Sequence, residues 1–353
     1  MLISINLIRK VVRKRYPYVF FMASYRLYIR TNLVSFLSVE IFCPKPFRKG
    51  CNRPGVHCTI REDMPKKTNR PGLRQRSEED METSKIRVLA LDLDGTLTND
   101  KKEVTPRTRA ALDAAAAQGV TIVLASGRPT AGIAPLAKDL GLDKKGGCIL
   151  SYNGGCIVDC GTGETLYQQV LDAKYIPELC QFAAEQKVAI VTYNKEGVVT
   201  EHPEDEWAAR EGFTCKLPMI KVDDLAKYVD YPVSKMLITL DPARRDEVCA
   251  LGQKKFDGRL GLYPSSPFFI EAVPLGVAKD ASLNALLDRM GLTRDNLMAC
   301  GDGLNDRSMI EFAGVGVAMQ NAEDPVKAVA SYVTEADNNH DGVAEAVEKF
   351  ILN

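Results

Sequence analysis

Four short strings hold most of the side chains in this sequence that could do chemistry together. The first is Asp92-Leu93-Asp94-Gly95-Thr96, in which two carboxylates follow directly on an apolar run from Ile86 to Leu91. Carboxylates gathered at a strand end repel one another unless a cation sits between them. Mg2+ suits such a place, being a hard ion held by one or two carboxylates together with phosphate oxygens. On that reading Asp92 attacks phosphorus as a carboxylate nucleophile. Asp94 protonates the leaving oxygen and later takes a proton from the hydrolytic water. Taken alone, the string also fits a surface turn or a calcium loop, and the apolar run before it argues for the strand end.

The second string, Ala125-Ser126-Gly127-Arg128-Pro129, offers a hydroxyl and backbone N–H groups at a strand-to-helix turn, which suits a phosphate oxygen. In the third, Gly276-Val277-Ala278-Lys279-Asp280, Lys279 stands near a helix start and supplies the cation needed to neutralise phosphate and steady a nucleophile. The fourth is Ala299-Cys300-Gly301-Asp302-Gly303-Leu304-Asn305-Asp306, again an apolar run leading into acids. Asp302 completes a metal's ligand set, Asn305 is placed to hydrogen-bond a transferring phosphoryl group, and Asp306 positions either Lys279 or a metal-bound water. A dinucleotide-binding loop is disfavoured because Gly301-x-Gly303 lacks the third glycine.

These strings need a scaffold that brings strand ends together, and the pattern from Lys85 onward supplies one. Ile86–Leu91, Val120–Ala125 and Cys148–Ser151 are short apolar, β-prone runs. Between them lie two helical stretches. One opens at Thr105-Pro106 and closes at Gly119, and the other runs from Ala131 to Leu140. The alternation predicts an α/β fold with a doubly wound parallel sheet and right-handed crossovers, whose ligand site lies beyond the carboxyl ends of the strands. It resumes near the C-terminus with a helix over 276–290, strands at Asn296–Cys300, Val315–Ala318 and Tyr332–Thr334, and a closing helix from Val343. Between the halves lies a block about the size of a small domain, mixing strand runs (Val188–Thr192, Val198–Thr200, Lys235–Leu240) with helices such as Ile176–Gln186. The expected organisation is core from 85 to 167, an inserted α/β cap from 168 to 264, and core again from 265 to 353.

Composition narrows the function classes. The 353 residues carry 46 basic and 46 acidic side chains, yet residues 1–84 hold 17 Lys and Arg against 7 Asp and Glu. That basic leading segment is rich in Pro, Gly, Lys, Arg and Asn after Cys43 and is expected to be disordered. Arg26 and Arg30 interrupt its apolar stretch, so it offers no bilayer span. A targeting sequence, a nucleic-acid-binding arm and an upstream stretch dispensable to the enzyme compete for it, and the last is preferred. Three histidines in no catalytic or zinc-binding arrangement remove most histidine mechanisms. Ten cysteines lie scattered without metal-ligand spacing, and Cys148, Cys180, Cys249 and Cys300 fall inside apolar runs. Buried, reduced thiols of a cytoplasmic protein are the expectation.

In order, the four strings resemble the four motifs of the haloacid dehalogenase (HAD) superfamily. Asn153-Gly154-Gly155, Val317-Ala318-Met319-x-Asn321-Ala322 and Asp341-Gly342-Val343-Ala344 are similar to its Cof-type branch, near the sugar phosphatases. The resemblance spans about residues 85–353. It implies a Rossmann-like core and Mg2+ bound through the carboxylates of Asp92 and Asp302 and the backbone carbonyl of Asp94. Phosphate would be held by Ser126, Gly127, Lys279, Asn305 and the backbone N–H of Leu93. The lid would be of the C2B type, since the stretch between Asp94 and the first helix is too short to hold one. Arg128 and Asn153 lie close to where the leaving group emerges and are read as substrate contacts. Ala278-Lys279-Asp280 replaces the commoner Ser-Lys-Gly, and Gln320 stands where glycine or an acid is frequent, without loss of a reacting group.

The expected function is Mg2+-dependent hydrolysis of small phosphate esters, sugar phosphates or related metabolites, through an aspartyl-phosphate. The expected partner is thus a small phosphorylated metabolite, with no nucleic acid for the folded part. A phosphohexomutase shares Asp94 and differs only in passing the phosphoryl group to a second hydroxyl. A non-catalytic binding module is disfavoured because every reacting residue is present. An ion pump phosphorylated on aspartate would need transmembrane helices and a threonine where Asp94 stands.

Overall fold

Short runs of Val, Ile and Leu between glycine- and proline-marked turns form strands buried on both faces, the habit of a parallel sheet covered by helices. The computed structural model describes residues 86–353, which lie within one compact unit. The reading of residues 1–84 falls outside the described residues. The chain first lays down β1 (Val88–Leu91), α1 (Pro106–Ala117), β2 (Thr121–Ala125), α2 (Thr130–Asp139), α3 (Leu142–Lys145), β3 (Cys148–Ser151), β4 (Cys156–Asp159) and β5 (Thr165–Gln168). An inserted stretch follows, with α4 (Tyr175–Gln186), β6 (Ala189–Tyr193), β7 (Val198–Thr200), α5 (Glu206–Cys215), β8 (Met219–Lys221), α6 (Leu225–Tyr228), β9 (Met236–Thr239), α7 (Arg245–Lys255), β10 (Gly261–Ser266) and β11 (Phe269–Val273). The return comprises α8 (Lys279–Met290), β12 (Leu297–Gly301), α9 (Arg307–Phe312), β13 (Val315–Ala318), α10 (Asp324–Lys327), β14 (Tyr332–Val333) and α11 (Gly342–Val347).

Two sheets result. The larger has the order β14-β13-β12-β1-β2-β3-β4-β5. Its first six strands are parallel, and β4 and β5 add an antiparallel edge. The chain winds outward from β1 through β2 to β3, then restarts at β12 on the other side of β1. The carboxyl end of β1 is therefore a topological switch point, where open sheets bind ligands. Register brings the strand ends level, with Leu91 beside Cys300 on one side and Leu124 on the other. All four residues of β1 are buried, and a fully buried Leu or Val contributes roughly 1.5–3 kcal/mol. The sheet is thus doubly wound as the sequence predicts but mixed rather than wholly parallel.

The second sheet has the order β10-β11-β9-β6-β7-β8 and is antiparallel except for the β7–β8 pair. Alternation along its strands divides its side chains between two layers. Ile190, Ile238, Ile270 and Ala272 pack against α4 and α7. Val191, Tyr193, Leu237 and Phe269 face the other way, in a cluster that includes Tyr152 from the turn after β3. The return to the first sheet comes later than the expected residue 265. Gly261–Val273 is a hairpin of the second sheet that turns at Pro267 and Phe268, so no junction between sheets falls at residue 265. The predicted helix over 276–290 likewise begins only at Lys279, because Ala278 is extended.

Among the described residues no helix is long and apolar enough to cross a membrane. Cys148, Cys156, Cys160, Cys180, Cys215, Cys249 and Cys300 form no disulfide, with Cys160 and Cys180 only half-buried.

Gly154, in the turn between β3 and β4, has φ +104°, and a Cβ there would stand 2.3 Å from the backbone oxygen of Ala278. Neither the backbone angle nor that contact tolerates a side chain. Gly154→Ala is expected to lower the unfolding free energy by about 1–3 kcal/mol, read as an earlier urea midpoint. An unchanged midpoint contradicts the packing of this turn against the start of α8.

Candidate functional site

Five of the candidate side chains stand immediately beyond a strand of the first sheet or at the start of a helix. Asp92 follows β1, Ser126 follows β2 and Asp302 follows β12, while Lys279 opens α8 and Asp306 directly precedes α9. The backbone N–H of Asp92 donates to the Cys300 carbonyl at 3.0 Å, which extends the β1–β12 pairing to the level of the candidate site. After Asp92 the chain folds back on itself. Leu97 N donates to the Asp92 carbonyl at 3.1 Å, and Thr98 donates to the Leu93 carbonyl through its backbone N–H and its hydroxyl.

Lys279 is fully buried. Its Nζ donates to Asp92 Oδ1 at 2.7 Å, to Asp306 Oδ1 at 2.6 Å and to the Ala125 carbonyl at 2.9 Å. Burial works against the ammonium charge, but Asp306 and Asp92 together hold its pKa above the ordinary lysine value. Asp306 Oδ2 accepts from the backbone N–H groups of Asp302 and Gly303, both at 3.0 Å. Both Asp306 oxygens thus have donors, so of the two roles read for Asp306 the geometry favours bracing Lys279.

Asp92, Asp302 and Asp306 present ligand oxygens within 4.8 Å of one another. Burial pushes the Asp92 carboxyl up to about 8 against the pull of Lys279. Burial likewise raises Asp302 to about 6, with the Thr96 hydroxyl, 2.7 Å from its Oδ1, pulling the other way. Carboxylates short of compensating charge, offering only hard oxygen donors, fit a divalent cation of the Mg2+ or Ca2+ kind. Because the oxygens of Asp306 are committed, Asp92 and Asp302 are the members of the group with ligand capacity to spare. Gly95 permits the cluster: its φ is +84°, and a Cβ would lie 2.4 Å from Asp302 Oδ2. The Asn321 amide donates to the Gly95 carbonyl at 2.8 Å and the Asn338 amide to the Thr98 carbonyl at 3.0 Å, so the C-terminal segment braces this first loop.

The Asp94 carboxylate stands apart from the three acids. Arg128 grips it through Nε at 3.1 Å and Nη2 at 2.7 and 2.8 Å, and Lys102 Nζ reaches it at 2.7 Å. Partial burial would raise its pKa, but Lys102 and Arg128 outweigh that and hold it below the usual carboxylate range. Arg128, read from sequence as a leaving-group contact, therefore meets Asp94 first. Lys102 was not foreseen: it lies in a polar turn with nothing to distinguish it from a solvated lysine. Ser126 is buried, and its Oγ accepts from Arg128 N at 3.2 Å. Asn305 is exposed and donates to Asn153 Oδ1 at 3.3 Å, so both amides sit at the mouth of the same site.

Two further charged groups reach this mouth from the second sheet. Lys235 Nζ donates to the Gly127 carbonyl at 3.0 Å and pairs with Glu271 Oε1 at 3.2 Å, while Asn153 Nδ2 donates to Glu271 Oε2 at 3.4 Å. Sequence reasoning missed both. A signal existed, since Glu271 is the lone charge in the apolar run Phe268–Val273.

A family model for haloacid dehalogenase-like hydrolases matches residues 89–347. The crystal structure of a haloacid dehalogenase-like hydrolase from Bacteroides thetaiotaomicron superposes with a TM-score of 0.73 at 43% identity, over 76% of this chain and 100% of that one. A 5-amino-6-(5-phospho-D-ribitylamino)uracil phosphatase of Bacillus subtilis is 32% identical over 271 residues, 76% of this chain and 96% of its own length. A pyridoxal phosphate phosphatase of Escherichia coli is 29% identical over 276 residues, 75% of this chain and 99% of its own.

The acid cluster carries a pH signature. Asp92 and Asp302 rise from 3.8 to about 8 and about 6, so the folded state binds their protons more tightly than the unfolded chain does. Their cost to folding is absent below pH 3.8, grows as the pH rises, and is complete above about 8. The raised Lys279 acts only in alkali, where its contribution is lost. A divalent cation should therefore raise Tm more at about pH 8 than at about pH 5, with the difference removed in Asp302→Asn. Equal shifts at both pH values in thermal melts contradict the cluster as a cation site.

Proposed function

Because the chain belongs to the haloacid dehalogenase-like hydrolase family, we propose that it hydrolyses a small phosphate monoester by way of a phosphoryl group carried on Asp92. The observation that carries this reading is the placement of Asp92 Oδ1 against a wholly buried Lys279, 2.7 Å away, at the switch point of the sheet. Lys279 orients the carboxylate and favours its ionised form against the burial that raises its pKa. The second oxygen of Asp92 attacks phosphorus, the bond to the leaving oxygen breaks, and Asp94 gives that oxygen a proton. Water then attacks the same phosphorus while Asp94 takes its proton, and the bond to Asp92 breaks to release inorganic phosphate.

In the observed arrangement Arg128 and Lys102 hold Asp94 ionised, the form the second half needs. A substrate phosphate that draws the Arg128 guanidinium toward itself removes that stabilisation and raises the proton affinity of Asp94, the form the first half needs. The Ser126 hydroxyl, the backbone N–H groups of Leu93 and Gly127, and the Asn305 amide are the proposed donors to the phosphoryl oxygens. Asp92 and Asp302 through carboxylates, and Asp94 through its backbone carbonyl, would hold Mg2+, which when bound neutralises charge on those oxygens.

The second sheet and its helices are proposed to be a lid of the C2B type that covers the site and selects the leaving group. The named relatives act on different phosphate esters, so the substrate class assigned here is a small phosphorylated metabolite, sugar phosphates included, and no single compound.

With Mg2+ present, the full chain is expected to release inorganic phosphate from members of a panel of phosphorylated metabolites. Asp92→Asn should fall below about a thousandth of wild-type turnover, and Asp94→Asn by roughly 10²–10⁴-fold. Retention of more than about a tenth of the activity in Asp92→Asn contradicts covalent catalysis at this position. Interconversion of sugar phosphates without net phosphate release identifies a mutase instead.

A further inference from the structure

Lys235 and Glu271 form an ion pair inside the second sheet, at 3% and 8% exposure, and the mechanism above makes no use of them. Desolvating two charges is a poor way to gain stability, since well-packed apolar side chains in the same volume often do as well or better. What distinguishes this pair is where its remaining hydrogen bonds end. Lys235 Nζ donates at 3.0 Å to the carbonyl of Gly127, in the loop after β2. Glu271 Oε2 accepts at 3.4 Å from the amide of Asn153, whose backbone N–H donates at 3.0 Å to the Ser126 carbonyl and whose Oδ1 accepts from Asn305 at 3.3 Å. The Asn153 amide also lies so close to Gly127 that a Cβ there would meet its nitrogen at 3.0 Å. Every group these two charges reach in the first sheet therefore belongs to, or directly supports, Ser126, Gly127 or Asn305. The inner face of the insert adds the Tyr193 ring, 5.5 Å from Lys235 and 5.6 Å from the Tyr152 ring, and Glu211, which accepts from the Tyr193 hydroxyl at 2.7 Å.

We propose that Lys235 and Glu271 are positioning residues for the phosphate cradle: Lys235 fixes the Gly127 peptide, Glu271 fixes Asn153 and through it Asn305, and the cradle has its working shape only with the inserted sheet seated on it. This rests on the reading of Ser126, Gly127 and Asn305 as phosphate donors. It differs from a contact to the leaving group, because the pair acts on the part of the site that every substrate shares.

The test uses the full chain with Mg2+, two esters of dissimilar leaving group such as p-nitrophenyl phosphate and glucose 6-phosphate, and inorganic phosphate as the binding probe. Lys235→Met should lower kcat by roughly ten- to hundredfold, the loss of a hydrogen bond to a charged group. The factor should be the same on both esters, with weaker inorganic phosphate binding, and Lys235→Arg should recover part of it. Glu271→Gln keeps the side-chain shape and gives a smaller loss in the same direction, which tests the pair should Lys235→Met not fold. Variants that lose only thermal stability, with phosphate affinity and kcat unchanged, overturn the proposal. So does a loss confined to one ester, which marks a leaving-group contact. A wild-type chain that neither hydrolyses esters nor binds phosphate sinks the underlying reading of the site, whereas an active wild type with unaltered variants sinks this inference alone.

Discussion

The arrangement of the site depends on one buried ammonium group. Lys279 has no access to water, and an isolated charge in that position is prohibitively costly unless its donors are matched. Its three acceptors come from separate places: Asp92 beyond β1, the Ala125 carbonyl at the end of β2, and Asp306 before α9. Satisfying the lysine therefore fixes the relative positions of two strand ends and the start of α9. Without the lysine, Asp92 and Asp306 would face each other across a desolvated gap, the case in which breaking a buried pair is most destabilising. Asp306 carries the constraint onward, because its other oxygen gathers the N–H groups of Asp302 and Gly303 and so sets where the third acid stands.

Buried carboxyl groups short of compensating charge remain after that pairing, and they are the feature of the site that fits a divalent cation. Asp92 stays raised to about 8 although Lys279 is adjacent, and Asp302 to about 6 although Thr96 donates to it. Asp94, two residues from Asp92, has the opposite environment, since Arg128 and Lys102 keep it ionised.

The strands around the site were legible because a buried parallel sheet writes itself as short apolar runs, and the reactive residues were legible because they sit where those runs stop. Asp92, Ser126 and Asp302 each follow a strand that the sequence shows clearly. What the sequence conceals is pairing between distant polar groups. Nothing around Lys102 distinguishes it from an ordinary surface lysine, and nothing near Lys235 says that it meets Gly127, which is 108 residues away. The end of the insert was misplaced for a related reason, as only the pairing of β10 with β11 shows that the chain beyond residue 264 still belongs to the second sheet.

The central claim is that phosphorus passes through Asp92 on its way to water. The configuration at phosphorus, measured with a phosphate ester made chiral by oxygen isotopes, tests it most directly. Two successive in-line displacements, first by the carboxylate and then by water, predict overall retention. Inversion would mean that water attacks the ester directly, and would contradict Asp92 as the acceptor.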